Sequence, residues 1–373
     1  MLNMSNFLIH YSKKLSNAIN ADYIDNYDHD RFGPLTVPTA RRIKHLLKKL
    51  IQKIGFSQTN QATWVFEKGI AFVAPHLGQL ENLYQCLNDE ESKQILVDLS
   101  AFRAIGHEKI RLSLNTKAHW NHHRTAESLV IESQPLHAVK MPWLLQKMSL
   151  ESIGYPITIF LRPPAVVTLF IEQQYRCETS NGNIECETGD TVIDAGGCWG
   201  DTALYFAEKV GPKGSVLSFE FLRENLEIFD RNINLNPDLR NRIRVCKKAL
   251  WSVSNEILSF SNSGPGTSIN PQTTDIELEK VESITIDDFV KEEQIQSIEF
   301  IKMDIEGAEL QALRGAETTI KSFRPKLAIT IYHSYSDFWE IPLFLSSLNQ
   351  GYVFYIRHFK IHQEETVLFA HVI

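Results

Sequence analysis

From about residue 190 onward, short runs of almost unbroken apolar residues alternate with stretches where apolar residues recur every three or four positions. The runs predict strands near 191–196, 215–220, 243–248, 298–304 and 326–332, and the stretches predict helices over 201–210, 223–235, 308–321 and 337–348. VLSFEF and LAITIY are too uniformly apolar for half-exposed strands, which fits a sheet covered on both faces. The final segments, YVFYIRHF and TVLFAHVI, have no helix between them, so a short turn joins them and the last strand runs antiparallel. The pattern therefore predicts an α/β, Rossmann-like fold with a mostly parallel sheet.

Residues 1–165 lack that alternation and read as a mainly helical N-terminal domain, for substrate recognition or oligomerisation, ahead of a second domain over 166–373. In TARRIKHLLKKLIQKIG, Thr39 is placed to cap a helix whose apolar stripe runs from Ile43 to Ile54. Its other face carries six Lys and Arg residues, which suits a solvated domain helix or, alternatively, peripheral contact with an anionic membrane. A further helix is expected from a cap at Asn88 to Gly106. His119, His122 and His123 have no cysteine or carboxylate at ligand spacing, so a polar loop is expected there rather than a metal site. Prolines at 156, 163 and 164 mark the boundary, and Asn181 with Gly182 marks a hairpin turn.

Composition narrows the function. The charge balance of −7 over 373 residues argues against a nucleic-acid binder. The stretch MLNMSNFLIHYSKKL lacks the apolar run of a signal peptide, and no transmembrane segment is expected. Five cysteines without paired spacing suggest reduced thiols and a cytoplasmic location.

The chemistry gathers where the predicted strands end. Asp194, Gly196, Gly197, Gly200 and Asp201 lie between a strand and a helix, where free N–H groups and the helix dipole favour a ligand. The nicotinamide fingerprint G-x-G-x-x-G is broken at Cys198, which argues against an oxidoreductase. Glu220, ending the second strand, is placed for the ribose hydroxyls of a nucleoside. Asp304 and Glu306 fall at a turn closed by Gly307 and can share a cation, move a proton or cap the next helix. Glu309 is expected to brace that turn, and Asp287 and Asp288 to cap a helix. His333, ending the next strand, is a candidate general base opposite Asp304, with Asp337 able to orient it or cap the following helix.

Residues 190–373 resemble the FkbM family of S-adenosylmethionine-dependent methyltransferases. The resemblance rests on VIDAGGCWGD, on FEFLRENLEIFDRNINLN, on KKALW and TIDDF, and above all on FIKMDIEGAELQALRGA. It implies a class I methyltransferase sheet and O-methyl transfer to a hydroxyl of a sugar, glycan or related small-molecule acceptor. It assigns the methionine end of S-adenosylmethionine to Asp194, Gly196, Gly197, Gly200 and Asp201, and the ribose to Glu220. By the rim geometry, Asp304 and His333 then face the methyl group as catalytic residues, and a divalent metal held at Asp304 is an alternative activator of the hydroxyl. A non-catalytic scaffold is the rival reading, because a fold does not dictate a function.

Overall fold

The computed structural model describes residues 5–29, 59–132, 134–138, 143–269 and 278–373. The basic helix expected at 39–55 lies outside them. The chain divides into two units, one of residues 1–120 with 355–366 and one of 121–354 with 367–373.

The first unit carries helices Asn6–Ala18, Thr59–Val73, Leu77–Cys86 and Glu90–Ile105 and also takes in residues 355–358, which are strand. Phe7, Tyr11 and Leu15 form one buried stripe along the first helix. Gly69 lets Leu15 pack closely, since a Cβ there would lie 2.4 Å from the leucine side chain. The Tyr11 hydroxyl donates to the Gly69 carbonyl at 2.9 Å, which satisfies a buried polar group within this contact. Asp89, not Asn88, caps the fourth helix, accepting from Ser92 N at 2.8 Å. Arg357 donates to the same carboxylate at 2.7 Å and so ties the 355–366 segment into this unit.

In the second unit the expected helical character ends early. Strands β1 (Leu136–His137), β2 (Leu144–Ser149) and β3 (Thr158–Leu161) form a small antiparallel sheet before the proline boundary. Such short strands, with half-buried patterns, give little periodic signal over their length. The expected hairpin follows as β4 (Cys177–Thr179) and β5 (Gly182–Ile184). His122 and His123 sit on a helix, Lys117–Ser128, rather than in a polar loop, and His122 pairs with Glu172 at 3.1 Å.

The main sheet then begins with β6 (Thr191–Ala195), β7 (Ser215–Phe219) and β8 (Ile243–Cys246). β9 (Ala249–Leu250), β10 (Ile257–Phe260) and β11 (Glu279–Ile284) make a side sheet, after which β12 (Phe300–Met303), β13 (Lys326–Thr330), β14 (Tyr352–His358) and β15 (Thr366–Val372) complete the main one. Its order is β14-β15-β13-β12-β6-β7-β8. β6, β7, β8, β12 and β13 are parallel neighbours, and β15 runs antiparallel to β13. The sheet is thus the mostly parallel, Rossmann-like one expected, with an antiparallel last strand.

Helices Asp201–Val210, Arg223–Asn234 and Asp337–Ser347 match the periodic stretches. The stretch expected as one helix over 308–321 is two, Glu309–Arg314 and Glu317–Phe323, broken at Gly315. A Cβ at Gly315 would lie 2.2 Å from the Trp251 carbonyl oxygen, so close backbone packing explains the glycine. Phe300, Ile301 and Met303 are all fully buried, each side chain worth roughly 1.5–3 kcal/mol relative to exposure.

The chain leaves β6 toward β7 and β8 on one side, then returns through β12 and β13 on the other. The switch of direction lies between β6 and β12, whose register pairs Asp194 with Lys302 and Ala195 with Met303. A parallel sheet opens its ligand crevice at the carboxyl ends of strands flanking such a point.

Candidate active site

A cleft opens there, lined among others by Gly196, Glu220, Phe221, Leu250, Asp304 and Glu306. The rim residues singled out from the sequence divide into those on the cleft and those that build it.

Asp194 belongs to the second group. Its fully buried carboxylate accepts from Thr202 Oγ1 at 2.9 Å and Ser218 Oγ at 2.8 Å, and pairs with Lys302 Nζ at 3.1 Å. Lys302 is equally buried and donates to the carbonyls of Ala195 and Gly196 at 3.0 and 2.7 Å. Burial opposes its charge, yet the carboxylates of Asp194 and Asp304 outweigh that cost and hold the ammonium above its ordinary pKa. This pair staples β6 to β12 at the switch point. Lys302 was missed from the sequence, although a lysine inside the apolar run FIKM signals a buried counter-charge.

The glycines serve the backbone. A Cβ on Gly196, at φ +88°, would lie 1.9 Å from the Asp304 carbonyl oxygen, so glycine lets the two strand ends meet beneath the cleft. Gly197 and Gly200 lie against Ser218 and the Phe229 ring, and Gly200 starts the helix Asp201–Val210. Only Gly196 of the three lines the cleft. Asp201 sits in the first turn of that helix with its Oδ1 buried and without a partner. Burial pushes its carboxyl up to about 6, against the pull of backbone N–H groups and Lys302.

Glu220 reaches the cleft at the end of β7. One oxygen accepts from Leu222 N at 2.7 Å and the other from Asn225 Nδ2 at 3.1 Å, which fixes the carboxylate. Burial pushes its pKa up to about 7, only partly offset by those donors. Each carboxylate oxygen has a second lone pair for a hydroxyl donor.

Across the cleft, Asp304 follows β12 and Glu306 follows Asp304 by two residues. Glu306 adopts a left-handed φ of +55° and Gly307 one of +94°, folding the chain sharply into the next helix. Glu309 does brace this turn, accepting from Ile305 N at 2.8 Å. His333, beyond β13, lies among all three acids: Nε2 is 3.6 Å from Asp304 and 3.4 Å from Glu306, and Nδ1 is 3.1 Å from Glu309. Burial disfavours the imidazolium, but the three carboxylates win and push its pKa up to about 11. These contacts are ion pairs by distance, and neither ring nitrogen makes a directed hydrogen bond. Hydroxyls from Thr330, Tyr332 and Tyr175 approach Asp304 at 3.3–3.4 Å.

The structure thus brings Asp304 and His333 together, with Glu306 and Glu309 around them. Asp337 does not take the cap position of the helix Asp337–Ser347, which is Ser336; its carboxylate accepts from Ser334 N at 2.7 Å in the turn before it. Thr285, not Asp287 or Asp288, caps the helix Ile286–Glu292, while Asp287 accepts from Thr318 N and Thr319 N at the start of the helix Glu317–Phe323. Phe221, Lys248 and Leu250 also line the cleft. They lie inside FEFLRENLEIFDRNINLN and KKALW but were not singled out as site residues, since neither the turn after β7 nor the two-residue β9 is long enough to show a period.

Comparison with known proteins agrees with this arrangement. The family model described as the methyltransferase FkbM domain matches residues 183–354. The crystal structure of a methyltransferase FkbM from Methylobacillus flagellatus KT superposes with a TM-score of 0.52 at 17% identity, over 95% of this chain and 87% of that one. In sequence, the ribosomal RNA large subunit methyltransferase E of Nitratidesulfovibrio vulgaris is 30% identical over 144 residues, 37% of this chain and 70% of the relative.

Proposed function

We propose that this chain, which belongs to the FkbM methyltransferase family, moves the methyl group of S-adenosylmethionine to a hydroxyl oxygen of a sugar, glycan or related small metabolite. The observation that carries the reading is Glu220. It is a buried carboxylate, fixed by two donors, facing a cleft whose opposite wall holds Asp304 and Glu306. A nucleoside with two ribose hydroxyls suits that acceptor, and the unpartnered oxygen of Asp201 suits the ammonium group of the methionine end. Asp194 and Lys302 act on the donor indirectly, by holding Gly196 and the strand ends beneath it.

The sulfonium, when bound, supplies an already activated methyl group. What remains for the protein is to align the acceptor oxygen and take its proton. The bound donor would supply that methyl group and keep the electron pair of its broken C–S bond, while a carboxylate of this chain would take the hydroxyl proton. Asp304 and Glu306 line the cleft and are the assigned acceptors. His333, its pKa raised by its three acid neighbours, is charged at neutral pH and serves to hold those carboxylates ionised and oriented. The general-base role expected for His333 thereby shifts to the acids beside it.

The formal charge of −7 favours a glycan or small metabolite over RNA as acceptor. Thermal-shift titration with S-adenosylhomocysteine, beside nicotinamide cofactors, tests the donor. Stabilisation by the former alone is expected, and no shift with any of them would favour the non-catalytic scaffold. Methyl transfer from labelled donor to a panel of glycans and metabolites tests the acceptor class, and labelling of RNA alone would overturn it.

A further inference from the structure

Building on the donor assignment of that reading, we infer that Asp304, Glu309 and His333 form a binding site for a hard divalent cation, of which Mn2+ is the probe, with the His333 proton displaced when the cation binds. One ligand atom from each of the three lies within 4.8 Å of the others. Donors bound at about 2.1 Å to one ion stand roughly 3–4 Å apart, so the cluster needs little rearrangement to close on a cation. Two carboxylates and one imidazole suit Mn2+ or Mg2+ better than thiolate-seeking metals.

The acids alone would not carry this inference; the orphaned atoms beside them do. The His333 side chain is 9% exposed, and both ring nitrogens lack a hydrogen bond while facing carboxylate oxygens. Glu309 is 1% exposed, and its Oε2 likewise has no partner. Buried polar atoms are ordinarily satisfied, and here Glu309 Oε2 has no partner while the imidazole meets the carboxylates at ion-pair distances without a directed hydrogen bond, an arrangement that a shared cation would complete. An outer shell is also built. Ile305 N–H holds Glu309, and the Thr330 hydroxyl lies 3.3 Å from both Asp304 and Glu309, orienting two ligands at once.

Asp304 also lines the cleft, so the cation would face the acceptor. An acceptor hydroxyl bound to it would become more acidic, and Glu306, which is outside the ligand set, would receive the proton.

The full-length chain would be titrated with Mn2+, with S-adenosylhomocysteine binding measured in parallel. Saturable Mn2+ binding is expected, weakened at least tenfold in E309Q and H333A while both variants still bind S-adenosylhomocysteine. Electron spin-echo spectra of wild-type protein with Mn2+ should show coupling to an imidazole nitrogen, a readout that needs no variant. No Mn2+ binding, binding indifferent to both substitutions, or spectra without nitrogen coupling would each overturn the site. Binding of S-adenosylhomocysteine without Mn2+ would remove the cation site alone. Binding of Mn2+ without S-adenosylhomocysteine would remove the donor assignment and leave the site standing.

Discussion

Glu220 and Lys302 show opposite uses of a buried charge. Lys302 and Asp194 are both buried and satisfy one another, so removing one leaves the other unpaired. Lys302→Met should therefore destabilise the fold by about 3–5 kcal/mol in chemical denaturation. Adding Asp194→Asn should recover part of that loss, and a double variant no more stable than the single would argue against the pairing. Glu220 has polar donors but faces the cleft, and burial raises its pKa to about 7. Its folded pKa exceeds the ordinary value of 4.5, so in ligand-free protein its contribution to stability is present below that value and lost as pH rises toward 7. On the proposed assignment of Glu220 to a ribose, ligand binding should run the other way, because an ionised carboxylate accepts best from hydroxyls. Affinity for S-adenosylhomocysteine should rise from about pH 6 to about pH 8, by less than tenfold per unit. Glu220→Gln should weaken binding and flatten that rise; an unchanged pH profile in the variant would move the dependence elsewhere, with Asp201 next in line.

The turns after β6 and β12 place the chemistry, and both rely on backbone that ordinary side chains resist. Gly196→Ala would push a Cβ into the Asp304 carbonyl, so calorimetry should show lost donor binding together with a lower melting temperature. Gly307, at φ +94°, has open space around it, with His333 Cβ 3.9 Å away. Gly307→Ala should therefore cost about 1 kcal/mol through backbone strain alone. Away from the cleft, Asp287 caps the helix Glu317–Phe323 through two backbone N–H groups. Its replacement by alanine should cost roughly 0.5–2 kcal/mol and leave donor affinity unchanged. A drop in affinity would tie that helix to the site. Helical and strand periods were legible because each residue's face repeats locally. The split at Gly315 and the strands between 136 and 161 were not, because the Trp251 backbone and short cross-strand contacts decide them.

For the whole molecule, donor binding should report on global stability by mass action. S-adenosylhomocysteine at about a hundred times its dissociation constant should add about 2.7 kcal/mol, read as a raised melting temperature. Among the described residues no helix is long and apolar enough to cross a membrane. The 355–366 segment groups with the N-terminal helices although it includes the end of β14 and the start of β15, a grouping that pairs such as Arg357 with Asp89 support. Nothing in a linear pattern announces a contact between residues that far apart along the chain.

The alternation of apolar runs and helical periods determined by itself that a mostly parallel sheet would form and that its strands would end on Asp194, Glu220, Asp304 and His333. These are local properties, fixed by side-chain period and by where glycine breaks the run. Folding in three dimensions decided which of those residues line the cleft and which meet each other. Asp194 closes on Lys302 inside the protein, Glu220 keeps its face to the cleft, and His333 is charged because three carboxylates from one turn surround it. A residue's charge state depends on neighbours brought from other strands, so strand order and register had to be known before its chemistry could be read.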